Sequence, residues 1–169
     1  MQRPIRKHPR LKDYDYSQDG AYFVTVCTKN RAQILSSIVG RGAHTPPPVE
    51  LSNIGKSLDR YISNIENVYS NIFVDAYVIM PNHFHILIRI GNDNANNGGV
   101  WAPRPTDKRT AVQTVLRSLK TMVTKETGMK DLWQTSFYDH VIRSEQDYLA
   151  CWQYIDDNPA KWTEDKYFV

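Results

Sequence analysis

IFVDAYVIMPNHFHILIRI, residues 72–90, holds two apolar, β-branched runs separated by Pro81-Asn82. Runs of this composition are strands, and so short a connection makes an antiparallel hairpin from Ile72 to Met80 and from His83 to Ile90. Side chains alternate along a strand, so Phe84, Ile86, Ile88 and Ile90 share a face that can be buried, while His83 and His85 share the other. Two imidazoles on one stiff strand face form a bidentate pair suited to a divalent cation. The same His-x-His is also compatible with two packed, hydrogen-bonded histidines, and the rest of the chain has to decide.

Outward from the hairpin, strands and helices alternate. AYFVTVCT at 21–28 follows Gly20 and reads as a strand, and Ser52 precedes Ile54, Leu58, Tyr61, Ile62 and Ile65 at helical spacing, predicting a helix over 52–67. Val112, Val115, Leu116, Leu119, Met122 and Val123 repeat helically up to Gly128; Trp133 to Ile142 is extended; and 146–158 is a helix ending at Pro159. The order β-α-β-β-α-β-α predicts an α+β fold: a ferredoxin-like antiparallel sheet, helices on one face, the other face open, and an extra C-terminal helix. The Gly/Pro-rich segment at 40–50 and the Asn/Gly/Pro-rich segment at 91–108 read as exposed loops.

The last helix adds chemistry. Tyr154 and Asn158 are four residues apart and project together, at the margin of an apolar stripe expected to comprise Tyr148, Trp152 and Ile155. A phenol attacks a phosphodiester when a metal polarises the phosphate, and an amide oxygen is a ligand for a hard cation. Singly, Tyr154 also reads as a helix-surface tyrosine and Asn158 as the residue that precedes a helix-ending proline.

The chain has 169 residues, enough for one domain (1–169) with its own core, and a net charge of +3. Its positive charge gathers in a basic leader over 1–19, where Arg3, Arg6, Lys7, Arg10 and Lys12 suit a phosphate backbone and Tyr14 and Tyr16 suit stacking on unpaired bases. Cys27 and Cys151 form no CxxC or disulfide pattern and read as reduced packing residues. No stretch reads as a signal peptide or membrane span, which makes the expected location cytoplasmic and the expected partners exclude a membrane.

Four segments together resemble the HUH single-strand transposases, in the branch of REP-associated tyrosine transposases: GAYFVTVCTKNR at 20–31, YVIMPNHFHILI at 77–88, LWQTSFYDHVIRSEQDY at 132–148 and QYIDDNPAKW at 153–162. Their order and spacing make the combination far more specific than any one piece. The resemblance implies that His83 and His85 hold Mg²⁺ or Mn²⁺, with Asn158 as third ligand where related insertion-sequence enzymes often have Gln. It implies that Tyr154 attacks single-stranded or hairpin DNA, leaving a 5′-phosphotyrosine link and a free 3′-hydroxyl. Tyr138, with equally matching flanks, is the rival nucleophile, although it lacks an Asn or Gln one turn away. Lys120, Arg117 and Arg143 are candidate phosphate contacts, and Asp139 and His140 either join the site or brace the strand. The branch implies a monomer, whereas related enzymes are dimers that exchange catalytic helices. Two other classes stay open: a non-catalytic RNA-recognition-like module, which lacks the RNP1 pattern here, and a metal-dependent hydrolase using activated water.

Overall fold

The computed structural model describes residues 19–40, 47–91 and 111–169. The leader residues Arg3, Arg6, Lys7, Arg10 and Lys12 lie outside the described residues, as does 92–108 of the second loop. The elements are β1 Gly20–Cys27, β2 Ser36–Ile38, β3 Val49–Leu51, α1 Asn53–Ser63, α2 Ile65–Val68, β4 Ile72–Ile79, β5 His83–Ile90, α3 Ala111–Thr127, β6 Tyr138–Ile142 and α4 Glu145–Asp157.

Four strands form one antiparallel sheet in the order β4-β5-β1-β6, so each helical connection leaves one strand between the two it joins. The expected α+β architecture, with a four-stranded antiparallel sheet, is therefore present. Alternation sorts the faces. Tyr22, Val24 and Val26 of β1 join Phe84, Ile86, Ile88 and Ile90 of β5 in a core closed by Leu58 and Ile62 of α1 and by Val112, Val115, Leu116, Leu119 and Val123 of α3. α1 begins at Ser52, whose Oγ accepts from the Gly55 amide at 3.1 Å, and it approaches the chain so closely that a Cβ on Gly55 would stand 2.1 Å from the Leu35 carbonyl oxygen.

Several local expectations need correcting. The helix expected over 52–67 is broken at Asn64 (φ −96, ψ 0), whose conformation ends α1 and starts the short α2. Within the segment read as a loop over 40–50, Val49 and Glu50 belong to β3, which pairs with β2 in a two-stranded ribbon; three-residue strands carry too little periodicity to be seen in sequence. The strand expected over 133–142 narrows to Tyr138–Ile142, because Trp133 makes only an isolated bridge to Thr28. The second sheet face is not open. α4 crosses it, with Tyr154 edge-on to Phe23 at 5.8 Å, and Tyr167 lies over His83 at 4.7 Å. This placement also changes the expected stripe of α4: Ile155 is buried, but Trp152 is 36% exposed, since the helix turns Tyr154 and Asn158 toward the sheet instead.

Candidate active site

His83 and His85 are fully buried on β5, in the middle of the sheet. Their Nε2 atoms face each other at 3.0 Å. Thr25, directly opposite His85 on β1, brings its Oγ1 to 2.7 Å from His85 Nδ1. Asn82 donates from Nδ2 to the Tyr167 carbonyl at 2.8 Å, which turns its Oδ1 toward His83 Nδ1, also at 2.8 Å. A carbonyl oxygen accepts only, so His83 carries its proton on Nδ1 and presents a lone pair at Nε2. Burial pushes His83 down to about 4 and His85 well below its ordinary value, so both rings are neutral near pH 7. Neutral imidazoles can serve as metal ligands, and two cis Nε2 ligands, each about 2.1 Å from one ion, would stand about 3 Å apart.

Ser144 caps α4 through the Asp147 amide at 3.2 Å and so fixes the phase of the helix that carries the other two candidates. At its far end the Tyr154 hydroxyl donates to Asp165 Oδ2 at 3.1 Å, and Asn158 Nδ2 donates to the same oxygen at 2.8 Å. Asp165 Oδ1 accepts from the Tyr167 amide at 2.7 Å, which anchors the carboxylate. With Nδ2 committed, Asn158 is left with a buried Oδ1 that has no hydrogen-bond partner among the described residues. Such an oxygen costs about 1–3 kcal/mol unless something meets it, and a cation is a suitable occupant. One ligand atom from each of His83, His85 and Asp165 lies within 4.8 Å of the others, a donor set that fits a divalent ion. The Tyr154 ring packs edge-on against His85 at 5.1 Å. Burial first, then the Asp165 charge, pushes its phenol up to about 12, so the nucleophile candidate is protonated at rest.

Tyr138 lies at the edge of this cluster, its ring 6.3 Å from that of Tyr167. It is 54% exposed on β6, in register with Thr25, so β1 lies between it and His85. Lys120 Nζ donates to the carbonyls of Gln134 at 2.5 Å and Thr135 at 3.3 Å. Arg143 and Arg117 are exposed, and the Arg143 amide bonds Asp147 at 3.3 Å. His140 pairs with Asp147 at 2.9 Å, a contact that braces β6 against α4.

Sequence reading missed Asp165, Thr25, Asn82 and Tyr167. Asn82 carried a signal, as the residue next to His83 in a tight turn. Asp165 carried none: it lies beyond Pro159 in a segment without periodicity. Two cations near the site were also missed: Arg31 lies over the Tyr167 ring at 5.5 Å and donates to the Lys166 carbonyl at 3.3 Å, and the Lys166 ammonium lies 4.8 Å from the same ring. A groove of about 620 Å³ runs along the site, lined by Phe23, Tyr154, Asn158, Asp165, Lys161 and Lys166 among others.

Comparison with known proteins adds lineage to this geometry. The chain is 31% identical over 175 residues to an uncharacterised protein of Haemophilus influenzae, covering 97% of this chain and 93% of that protein. It is 27% identical over 88 residues to the REP-associated tyrosine transposase of Escherichia coli, covering 52% of this chain and 44% of that protein. It superposes with a TM-score of 0.62 on a solved REP-associated tyrosine transposase bound to a REP hairpin, at 22% identity, covering 93% of this chain and 77% of that one, a likeness of fold. No family model matches the chain. The chain is thus similar over half of its length to a REP-associated tyrosine transposase and shares the fold of a solved one. No helix among the described residues is long and apolar enough to cross a membrane.

Proposed function

We propose that this chain, acting as one catalytic domain, nicks and rejoins single-stranded DNA beside hairpins, with Tyr154 as nucleophile and His83, His85 and Asn158 as the ligands of Mg²⁺ or Mn²⁺. The observation that carries the reading is the shared carboxylate: Asp165 holds both the Tyr154 hydroxyl and the Asn158 amide, next to the two histidines. When bound, the cation supplies charge stabilisation at a non-bridging oxygen of the scissile phosphate. The protein does the rest. Asn82 and Thr25 hold the imidazoles with Nε2 forward, and Asp165 turns the Asn158 oxygen free by taking its N–H. Tyr154 Oη forms the bond to phosphorus and passes its proton to Asp165, its hydrogen-bonded acceptor. The 3′-oxygen leaves and is protonated by water, and attack by a 3′-hydroxyl on the phosphotyrosine reverses the exchange without external energy.

Two further points support this reading over its rivals. A module that stacks bases on an open sheet needs the face that α4 covers here, as Tyr154 packs against Phe23 and His85. Tyr154 also reaches the histidines of its own chain, which supports a monomer over a dimer with exchanged helices. The solved relative bound to a REP hairpin supports hairpin DNA as substrate, and Lys161, Lys166 and Arg31 near the groove suit its phosphates, with the basic leader as an additional arm.

Incubation with labelled single-stranded hairpin DNA and Mg²⁺ or Mn²⁺, followed by denaturing electrophoresis, tests the proposal. The expected result is a covalent band that chelation abolishes, that Tyr154→Phe lacks and that Tyr138→Phe keeps. A band persisting in Tyr154→Phe overturns the nucleophile, and cleavage without any adduct favours a hydrolase.

A further inference from the structure

A second group of metal-type donors lies on the wall of the same groove, away from the histidine pair. His140 projects from β6 on the sheet face shared with Phe23, its register partner on β1. Its Nε2 stands 2.9 Å from each Asp147 carboxylate oxygen. Cys151 follows Asp147 by four residues on α4, hence on the same helix face, and the three donor atoms lie within 4.8 Å of one another. A hydrogen-bonded pair alone accounts for His140 and Asp147, but it leaves the convergent thiol without a role.

We propose that His140, Asp147 and Cys151 form a second cation site, for a borderline-soft divalent ion of the zinc class. Thiolate, imidazole and one carboxylate are the donor set that favours such an ion over Mg²⁺, whose partners are hard oxygens. The carboxylate is already oriented from behind: Asp147 Oδ2 accepts from the Arg143 amide at 3.3 Å, and the Asp147 amide is held by Ser144 Oγ at 3.2 Å. Three protein ligands leave a fourth position, and all three line the groove that Tyr154 lines, so that position is open to water or to a phosphate oxygen. Binding displaces the proton of the Cys151 thiol, which leaves to solvent as the metal–sulfur bond forms. The ion ties β6 to α4 three residues before Tyr154, fixing the helix that bears it. The site depends on side chains separate from His83, His85 and Asn158, so it stands or falls apart from the DNA-nicking proposal.

Titration of the full chain with Co²⁺, a spectroscopic stand-in for Zn²⁺, in a non-thiol reductant and excess Mg²⁺, reads the site directly. The expected result is a near-ultraviolet thiolate-to-cobalt band that saturates at one equivalent, bleaches on adding Zn²⁺, persists in Cys27→Ser and His83→Ala, and is lost in Cys151→Ser. His140→Ala, at an exposed position that folding tolerates, is expected to weaken the apparent affinity by at least about tenfold. Absence of the band in the wild-type chain, or its survival in Cys151→Ser, overturns the proposal.

Discussion

Replacing Thr25 by Val removes one hydroxyl from behind His85, an oxygen that also bonds the Tyr167 side chain. Thr25 is 2% exposed in the centre of β1, and valine has the same branched shape and an equal liking for strands, so the packing survives. What is lost is the 2.7 Å contact to His85 Nδ1, together with the hydrogen bond to the Tyr167 side chain. In the metal-bound state that nitrogen must carry the proton, because Nε2 is the ligand, and valine leaves the N–H buried without an acceptor. Losing the hydrogen-bond partner of a metal-binding histidine costs about 10–100-fold in metal affinity, equivalent to about 1.4–2.8 kcal/mol. The assay is a Mn²⁺ titration of hairpin cleavage, paired with calorimetric Mn²⁺ binding and a melting curve. The midpoint should rise by that factor in both titrations, while the rate at saturating Mn²⁺ recovers to near the wild-type value. An unchanged midpoint in a folded Thr25→Val protein refutes the assignment of His85 as a ligand held by Thr25.

Asp165→Asn keeps the shape of the side chain but removes the acceptor for the Tyr154 proton; covalent adduct formation should slow by about 100-fold or more, while hairpin binding measured by mobility shift stays unchanged. The metal-free protein should lose stability in acid. His83 is held near 4 in the fold against an ordinary 6.5, so between those values the unfolded chain carries a proton that the folded chain lacks, and acid favours unfolding. Its contribution to the fall is about 1.4 kcal/mol per pH unit as pH drops from about 6 toward 5, and denaturant melts across that range should flatten in His83→Phe. Gly55→Ala forces a Cβ onto the Leu35 carbonyl oxygen, 2.1 Å away, and should cost about 1–3 kcal/mol through displaced backbone, read as a lower melting temperature with the cleavage site chemically intact.

The sheet was legible because its central strands are long and strongly alternating: Phe84, Ile86, Ile88 and Ile90 fall on the core face, and the two histidines on the other. The helices α1 and α3 were legible for the same reason of period, although the break at Asn64 that ends α1 was not. The path of α4 was not. Its sequence permits a stripe through Trp152, but the helix instead seats Tyr154 and Asn158, because their partners, Phe23, His85 and Asp165, are supplied by other parts of the chain. Half of the site was written locally, as His83 and His85 two residues apart and Tyr154 and Asn158 one turn apart. The group that joins the halves was not, since Asp165 gains meaning only when the chain past Pro159 folds back over β5 and brings Tyr167 against His83.

Mapping the covalently linked residue decides between Tyr154 and Tyr138 as the nucleophile. After reaction with hairpin DNA and Mn²⁺, nuclease trimming and proteolysis, mass spectrometry of the nucleotide-bearing peptide should locate the added mass on Tyr154. Its location on Tyr138, or on no tyrosine while the DNA is nonetheless cut, would contradict the account.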